Sequence, residues 1–196
     1  MKPIYVKYKM QKYQAVNAFT FCPFCRAELV PVENGRRMRP TCPACGFVHF
    51  TNPAPAVSVL VVHEGNVLLG RRTGTPGAGK WALSSGYIEY DEDFLTAARR
   101  EVKEETGLDV HLQAVIHVES AFLSPQYHFL TIYLLAEVVG GRLVAGDDFT
   151  AVQWFPVGGP LPEMAFLQDV ALVERASQAQ LAALPLDPAL AILRPE

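Results

Sequence analysis

Residues 84–108 read SSGYIEYDEDFLTAARREVKEETGL, and three glutamates, Glu101, Glu104 and Glu105, crowd into five consecutive positions of that stretch. Asp93 has the short polar side chain of a helix N-cap. Phe94, Leu95, Ala97, Ala98 and Val102 follow at helical spacing, and Gly107 stands where a helix ends in a left-handed turn. The pattern predicts a helix from about Asp93 to Thr106. At about 100° per residue, the three carboxylates then lie within an arc of roughly 100° on one side of it. Like charges at that spacing oppose helix formation. Two readings account for them. One is a solvated acidic face with Arg100 and Lys103 as partners. The other is a site for divalent cations such as Mg²⁺ or Mn²⁺, which take oxygen ligands and are completed by phosphate oxygens of a substrate.

The four cysteines form a second compact pattern: Cys22-x2-Cys25, sixteen intervening residues, then Cys42-x2-Cys45. Two short Cys-x2-Cys turns present paired thiolates, as the closed tetrahedral site of a zinc ribbon requires. A disulfide pair is the alternative, and it does not suit a chain whose thiols are kept reduced. A closed four-thiolate Zn²⁺ site leaves no position for water or substrate. The predicted role is therefore structural, holding about thirty residues that have little core of their own.

Length and composition set the frame for these two patterns. At 196 residues, 50% of them hydrophobic and 19% charged, the chain suits one well-cored domain and a small appendage. Its formal net charge of −3 gives no overall nucleic-acid signature. Lys2, Lys7, Lys9 and Lys12 lie among tyrosines without the apolar core of a signal peptide, and apolar runs elsewhere are strand-sized. A cytoplasmic protein that does not enter a membrane is expected. The order is an arm over 1–20, the ribbon over 21–50, a stiff FTNPAPAV linker marked by Pro53 and Pro55, the main domain over 54–180 and a tail over 181–196. AVSVLVVH and NVLLG around EGN predict a hairpin, and RRTGTPGAGK predicts a loop. VHLQAVIHV, HFLTIYLLAEVV and AVQWFP predict strands, with GGR closing a hairpin after the second. PEMAFLQDVALVERASQAQ predicts a second helix. The sum is an α+β arrangement.

The stretch from Gly86 to Leu108 resembles the Nudix hydrolase signature G-x5-E-x7-R-E-U-x-E-E-x-G-U, where U is a bulky aliphatic residue. Gly86, Glu92, Arg100, Glu101, Val102, Glu104, Glu105, Gly107 and Leu108 fill its fixed positions in order. The resemblance implies a mixed-sheet α/β/α sandwich in which Glu101, Glu104 and Glu105 bind Mg²⁺ or Mn²⁺. It also implies that the Gly86 carbonyl is a further ligand and that Arg100 pairs with Glu92 to fix loop against helix. Ser84-Ser85 replaces the frequent Pro-Gly and Asp91 a frequent Gly, and every metal ligand is retained. For the general base, Glu104, Glu105, Glu119, Asp147 and Asp148 all remain open.

The likeness extends over most of residues 20–178. Zinc ribbons joined to Nudix domains occur in NADH pyrophosphatases and in a group similar to plant chloroplast FAD and ADP-ribose pyrophosphatases. The second group fits better. ESAFLSPQYHFLTIY lacks the tryptophan and paired prolines typical of the first, and GYIEYDED, QWFP and MAF match the second. Pro125 stands near a proline frequent in ADP-ribose hydrolases. The resemblance implies cleavage of the pyrophosphate of ADP-ribose, FAD or NADH with release of AMP. It also implies a homodimer. Trp81, Phe122 and Tyr127 are rings able to stack on an adenine or flavin, with a place in the core as the alternative. The competing reading is a nucleic-acid-binding or nucleotide-sensing regulator, with Arg36, Arg37 and Arg39 of the ribbon touching phosphates. A negatively charged chain makes nucleic acid the lesser expectation.

Overall fold

The computed structural model describes residues 19–124 and 127–186. They fall into two compact units. The smaller holds the chain up to Pro53 and the segment Phe122–His128, and the larger holds Ala54–Ala121 and the chain from Phe129 onward. In the smaller unit, β1 (Val30–Asn34) and β2 (Arg37–Thr41) form an antiparallel hairpin that turns through Gly35 at φ 65°. One cysteine knuckle precedes β1 and another follows β2, both at the open end of the hairpin, and the two share one hydrogen-bond pattern. The N–H of Cys22 donates to the Ala27 carbonyl and that of Arg26 back to Cys22. Likewise the N–H of Cys42 donates to Phe47 and that of Gly46 back to Cys42. Each return requires a left-handed residue four places on, Arg26 at φ 64° and Gly46 at φ 77°.

The larger unit is organised on β3 (Ala54–His63), in which Ala56–Val61 are buried without a break. Such a run needs strand partners on both edges and packing on both faces. One edge pairs in parallel with β8 (Tyr127–Gly141). The other pairs antiparallel with β6 (Ser84–Tyr87) and, beyond it, with β4 (Asn66–Arg72). The expected β3–β4 hairpin is present and turns on two left-handed residues, Glu64 and Gly65. β5 (Trp81–Ala82), β7 (Leu108–Ser124), β9 (Phe149–Pro156) and β10 (Leu184–Pro185) complete a mixed sheet ordered β10-β7-β8-β3-β4-β5, with β6 on β3 and β9 on β4. The helices are α1 (Phe94–Thr106) and α2 (Leu167–Ser177).

Alternation along β3 separates the two faces of the sheet. Val57, Val59 and Val61 pack in one core with Ala97, Ala98 and Val102 of α1. Leu60 packs in a second core with Leu69, Leu83, and Leu172 and Val173 of α2. The result is the expected α/β/α sandwich with a mixed sheet. Among the described residues no helix is long and apolar enough to cross a membrane.

Three expectations are corrected. Pro55 lies inside β3 opposite Leu130 and is no linker residue; it is exposed near the start of the strand, where a missing N–H is tolerated, and its carbonyl accepts from Ile88. The second helix starts at Leu167, not near Pro162, because the residues before it run alongside β5: the Trp81 N–H donates to Glu163 and the Ala165 N–H to Trp81. Finally, GGR closes no hairpin. β9 pairs with β4, and Gly141 instead lets the chain cross the end of α1, where a Cβ would lie 2.4 Å from the Gly107 carbonyl.

Gly70 of β4 is the tightest point of the sheet, since a Cβ there would lie 1.9 Å from Cδ2 of the buried Phe149 ring. Gly70→Ala is expected to destabilise the fold by about 3 kcal/mol through overpacking, read as a lower melting temperature. Combined with Phe149→Ala, its further penalty should largely vanish. An additive double variant would contradict the packing account.

Candidate active site

Asp93 starts α1 by accepting the N–H groups of Leu95 and Thr96 at Oδ1, at 2.9 and 3.0 Å, and the Thr96 hydroxyl at Oδ2. Gly107, at φ 74°, ends it with its N–H on the Lys103 carbonyl. The carbonyls left over at that end are also used. Val144 N–H donates to Thr106 and Gly146 N–H to Glu105, which ties the segment before Asp147 to the helix.

Arg100 is the hub of the acidic stretch. Its Nε donates to Glu92 Oε2 at 3.0 Å and its second terminal nitrogen to Glu92 Oε1 at 2.5 Å. That same nitrogen reaches the Tyr87 carbonyl at 3.1 Å. The first terminal nitrogen reaches Glu101 Oε1 at 2.7 Å and Glu104 Oε2 at 3.0 Å. One guanidinium thus joins strand end, loop and helix, as the Arg100–Glu92 expectation requires. These bonds hold the Glu92 carboxyl below its usual range. Lys103, the other expected partner, turns away to Asp109 at 2.8 Å.

Glu105 is only 1% exposed. Its Oε2 accepts the Ser84 hydroxyl and, at 3.1 Å, the Ser85 N–H. Burial pushes its pKa up to about 8; the two serine bonds and the Arg72 charge oppose the shift, and the Glu101 charge adds to it. Glu101, 8% exposed, is also raised, first by burial and further by Glu104 and Asp147, against the pull of Arg100. Its carboxylate lies against the backbone of Gly86, where a Cβ would stand 2.0 Å from Oε1 and would push the carboxylate aside. Two buried carboxyls, Glu101 offset by Arg100 and Glu105 by two serine hydrogen bonds, fit the demand of a divalent cation. Glu104 stands at the exposed rim. The box oxygens lie along the helix. Among the described residues the cysteines are the one group of three or more metal-ligand side chains whose ligand atoms converge, all four Sγ lying within 4.8 Å of one another.

The remaining candidates are spread out. Trp81 packs in the α2-side core with its ring 5.1 Å from that of Phe155, edge to face. Phe122, in the smaller unit, stacks on His128 at 3.9 Å, and the side chain of Tyr127 lies outside the described residues. Arg39 of the ribbon covers Phe50 at 4.4 Å. Of the loop carboxylates, Asp147 acts on Glu101, whereas Glu119 Oε1 accepts the Tyr133 hydroxyl at 2.9 Å.

Two participants were not anticipated. Ser84 is noted in the sequence only as a departure from the family pattern, yet it is buried on Glu105. Asp169, in the first turn of α2, is 3% exposed, and its Oδ2 accepts the Leu83 N–H at 3.0 Å. A lone acid in the apolar FLQDVALV run is the signal that would have drawn notice. Burial pushes the Asp169 pKa up to about 7, opposed by the Leu83 N–H and Arg72 and reinforced by Glu119. A carboxyl with a higher pKa folded than unfolded binds its proton more tightly in the folded chain, so stability falls as pH climbs from about 4 through that value. Asp169→Asn keeps an oxygen for Leu83 and cannot ionise. It should melt above the parent at about pH 8 and by a smaller margin at about pH 5, and equal margins in calorimetry would refute the assignment.

The family model described as NUDIX domain matches residues 52–175. An ADP-ribose pyrophosphatase of Methanocaldococcus jannaschii is 35% identical over 118 residues, covering 60% of this chain and 69% of the relative. An NAD-capped RNA hydrolase of Stutzerimonas stutzeri is 31% identical over 157 residues, 80% of this chain; the match spans about half of that relative, 54%. A crystal structure of a NUDIX hydrolase from Nitrosomonas europaea superposes with a TM-score of 0.74 at 25% identity, over 83% of this chain and 92% of that one. A sheet centred on β3, a loop and helix joined by Arg100, and a match across more than half the sequence lead to one conclusion: the chain belongs to the NUDIX family.

Proposed function

We propose that the chain is a divalent-metal-dependent pyrophosphatase that cleaves the P–O–P linkage of ADP-ribose, with FAD next and NADH behind both, and releases AMP. The observation that carries this reading is the pair of buried carboxyls, Glu101 and Glu105, set beside Gly86 and the exposed Glu104. Glu101, Glu104, Glu105 and the Gly86 carbonyl are the groups that would hold Mg²⁺ or Mn²⁺. When bound, such an ion neutralises charge on the diphosphate and acidifies water. The chain's own part is positional. Arg100 sets Glu101 and Glu104 against the Glu92 loop, Ser84 and Ser85 set Glu105, and the N–H of Gly146 on the Glu105 carbonyl brings Asp147 within electrostatic reach of Glu101. Asp147 is therefore the loop carboxylate best placed to take a proton near the box. ADP-ribose leads the order because the archaeal relative carries that name at 35% identity over most of its length. Outside that order of small pyrophosphates, a 5′-NAD-capped RNA is a further substrate to try, since the match to the Stutzerimonas relative, at 157 residues, is longer than the NUDIX domain itself.

Glu104→Gln and Glu105→Gln should each lower kcat on ADP-ribose at least about 10-fold, the loss that even outer-shell changes at metal sites produce, and a chelator should abolish turnover. The fold should survive, since Glu104 is half exposed and the amide oxygen that replaces the Glu105 carboxylate can still accept from Ser84. In heavy-oxygen water the label should enter a phosphate of one product. Wild-type turnover in both variants, or faster cleavage of a nucleoside triphosphate, would overturn the reading.

The cysteine quartet supports Zn²⁺ as the ion of the smaller unit. Cys22 Sγ lies 3.5 Å from Cys45 Sγ and Cys25 Sγ 3.3 Å from Cys42 Sγ, and the two knuckles present them as paired turns. Elemental analysis should return one zinc per chain, and Cys42→Ser should release it and expose the ribbon to protease while leaving the NUDIX unit folded. Full zinc in that variant would contradict the assignment.

A further inference from the structure

We propose that Asp169 of α2 is a positioning residue for the metal-binding box: by accepting the Leu83 N–H it fixes the backbone whose next two residues, Ser84 and Ser85, both donate to Glu105. This rests on the reading of Glu105 as a metal ligand. Leu83 lies between β5 and β6 and belongs to neither, so its N–H has no ladder partner, and the residue is fully buried. An unpaired buried donor is costly. The acceptor comes from a side chain 86 positions later, Asp169 Oδ2 at 3.0 Å. One residue on, the Ser84 hydroxyl reaches Glu105 Oε2, and the Ser85 N–H reaches the same oxygen at 3.1 Å. Three consecutive residues are thus pinned between two buried acids, one on each helix.

Two further features bind the ends of this bracket together. The strand-like residues before α2 are tied to β5, which ends one residue before Leu83, through the Trp81 N–H on Glu163 and the Ala165 N–H on Trp81, at 2.9 and 2.7 Å. Arg72 of β4 acts on both acids, and its guanidinium lies 5.3 Å over the ring of Phe166, the residue that precedes α2. With the Leu83 anchor removed, Ser84 and Ser85 keep their β3 ladder but lose the fixing on the residue before them, and the direction in which they donate to the Glu105 carboxylate is set less tightly. The reach is that of an outer-shell partner, which orients a ligand without touching the metal.

The test titrates the full chain with Mn²⁺ by paramagnetic resonance and measures kcat on ADP-ribose beside the melting temperature. Asp169→Ala is expected to weaken Mn²⁺ binding by about 10-fold and to lower kcat. Asp169→Asn, which retains an oxygen acceptor, is expected to restore both. Asp169→Ala combined with Ser84→Ala should lose less than the sum of the two single changes, as expected for links of one chain. A purely structural Asp169 would lower the melting temperature and leave Mn²⁺ affinity of the folded protein where it was, and that result overturns the proposal. So does an Asn variant as impaired as the Ala variant. If Asp169→Ala does not fold, Asp169→Glu, whose carboxylate is displaced by one methylene, is held to the same criteria. If wild type and Glu104→Gln bind Mn²⁺ alike, the metal reading of the box fails and this inference with it; if they differ and Asp169→Ala matches wild type, only the inference fails.

Discussion

Arg100 makes the box a single object. A helix bearing Glu101, Glu104 and Glu105 on one side is self-repelling, and two of those carboxyls are buried where water cannot screen them. The guanidinium relieves this from one direction, through Glu101 and Glu104, and turns its remaining donors to Glu92 and the Tyr87 carbonyl. The loop from β6 to α1 is therefore held by the charge of the helix it precedes. A lysine could not do this, since it lacks the planar fork that reaches several acceptors in fixed directions. Glu105 lies beyond direct contact with that fork and is satisfied from the opposite side by Ser84 and Ser85.

The two cores serve this arrangement unequally. The α1 core, built of valines on β3 against alanines and Val102, brings helix and sheet close enough for Glu105 to reach β6. The small residues Ala97 and Ala98 make that approach possible, because larger side chains there would hold the helix off the sheet. The α2 core is bulkier, with Leu60, Leu69, Leu83 and Leu172, and it carries a polar seam of His117, Glu119, Tyr133, Gln168 and Asp169. Burial drives the Tyr133 hydroxyl above its usual range, with Asp169 and Glu119 adding to the rise, so this phenol stays a donor throughout the working pH range.

What could be read without the structure was what is written locally. The α1 limits, its Asp93 cap and its Gly107 end follow from thirteen residues of helical periodicity and two caps. The β3–β4 turn follows from a Glu-Gly pair, and the ribbon from cysteine spacing. The family signature supplied the Arg100–Glu92 pair. What escaped depends on residues far apart in the chain: β9 lying on β4, the extended segment before α2 lying along β5, and Asp169 meeting Leu83. The early start predicted for α2 shows the mechanism. Pro162–Phe166 carries no local mark against helix, and it is Trp81 that draws it out straight. Trp81 is placed by the same contact, with its ring edge to face on Phe155.

The central position of β3 has a consequence for how the chain is made. Val57 takes its parallel partner from Ile132, 75 positions later, and β4 waits for β9, whose last residue is Pro156. At about 5–20 residues per second, β3 leaves the ribosome roughly 4–15 s before the strand that covers its edge. Throughout that interval the β8 edge of β3, the strand with the longest unbroken buried run among the described residues, is an open template for pairing with another chain. Slow closure of non-local contacts prolongs the interval after release. The architecture that centres α1 on a shared strand thus leaves the newborn polypeptide with an edge that dilution protects and crowding exposes to aggregation.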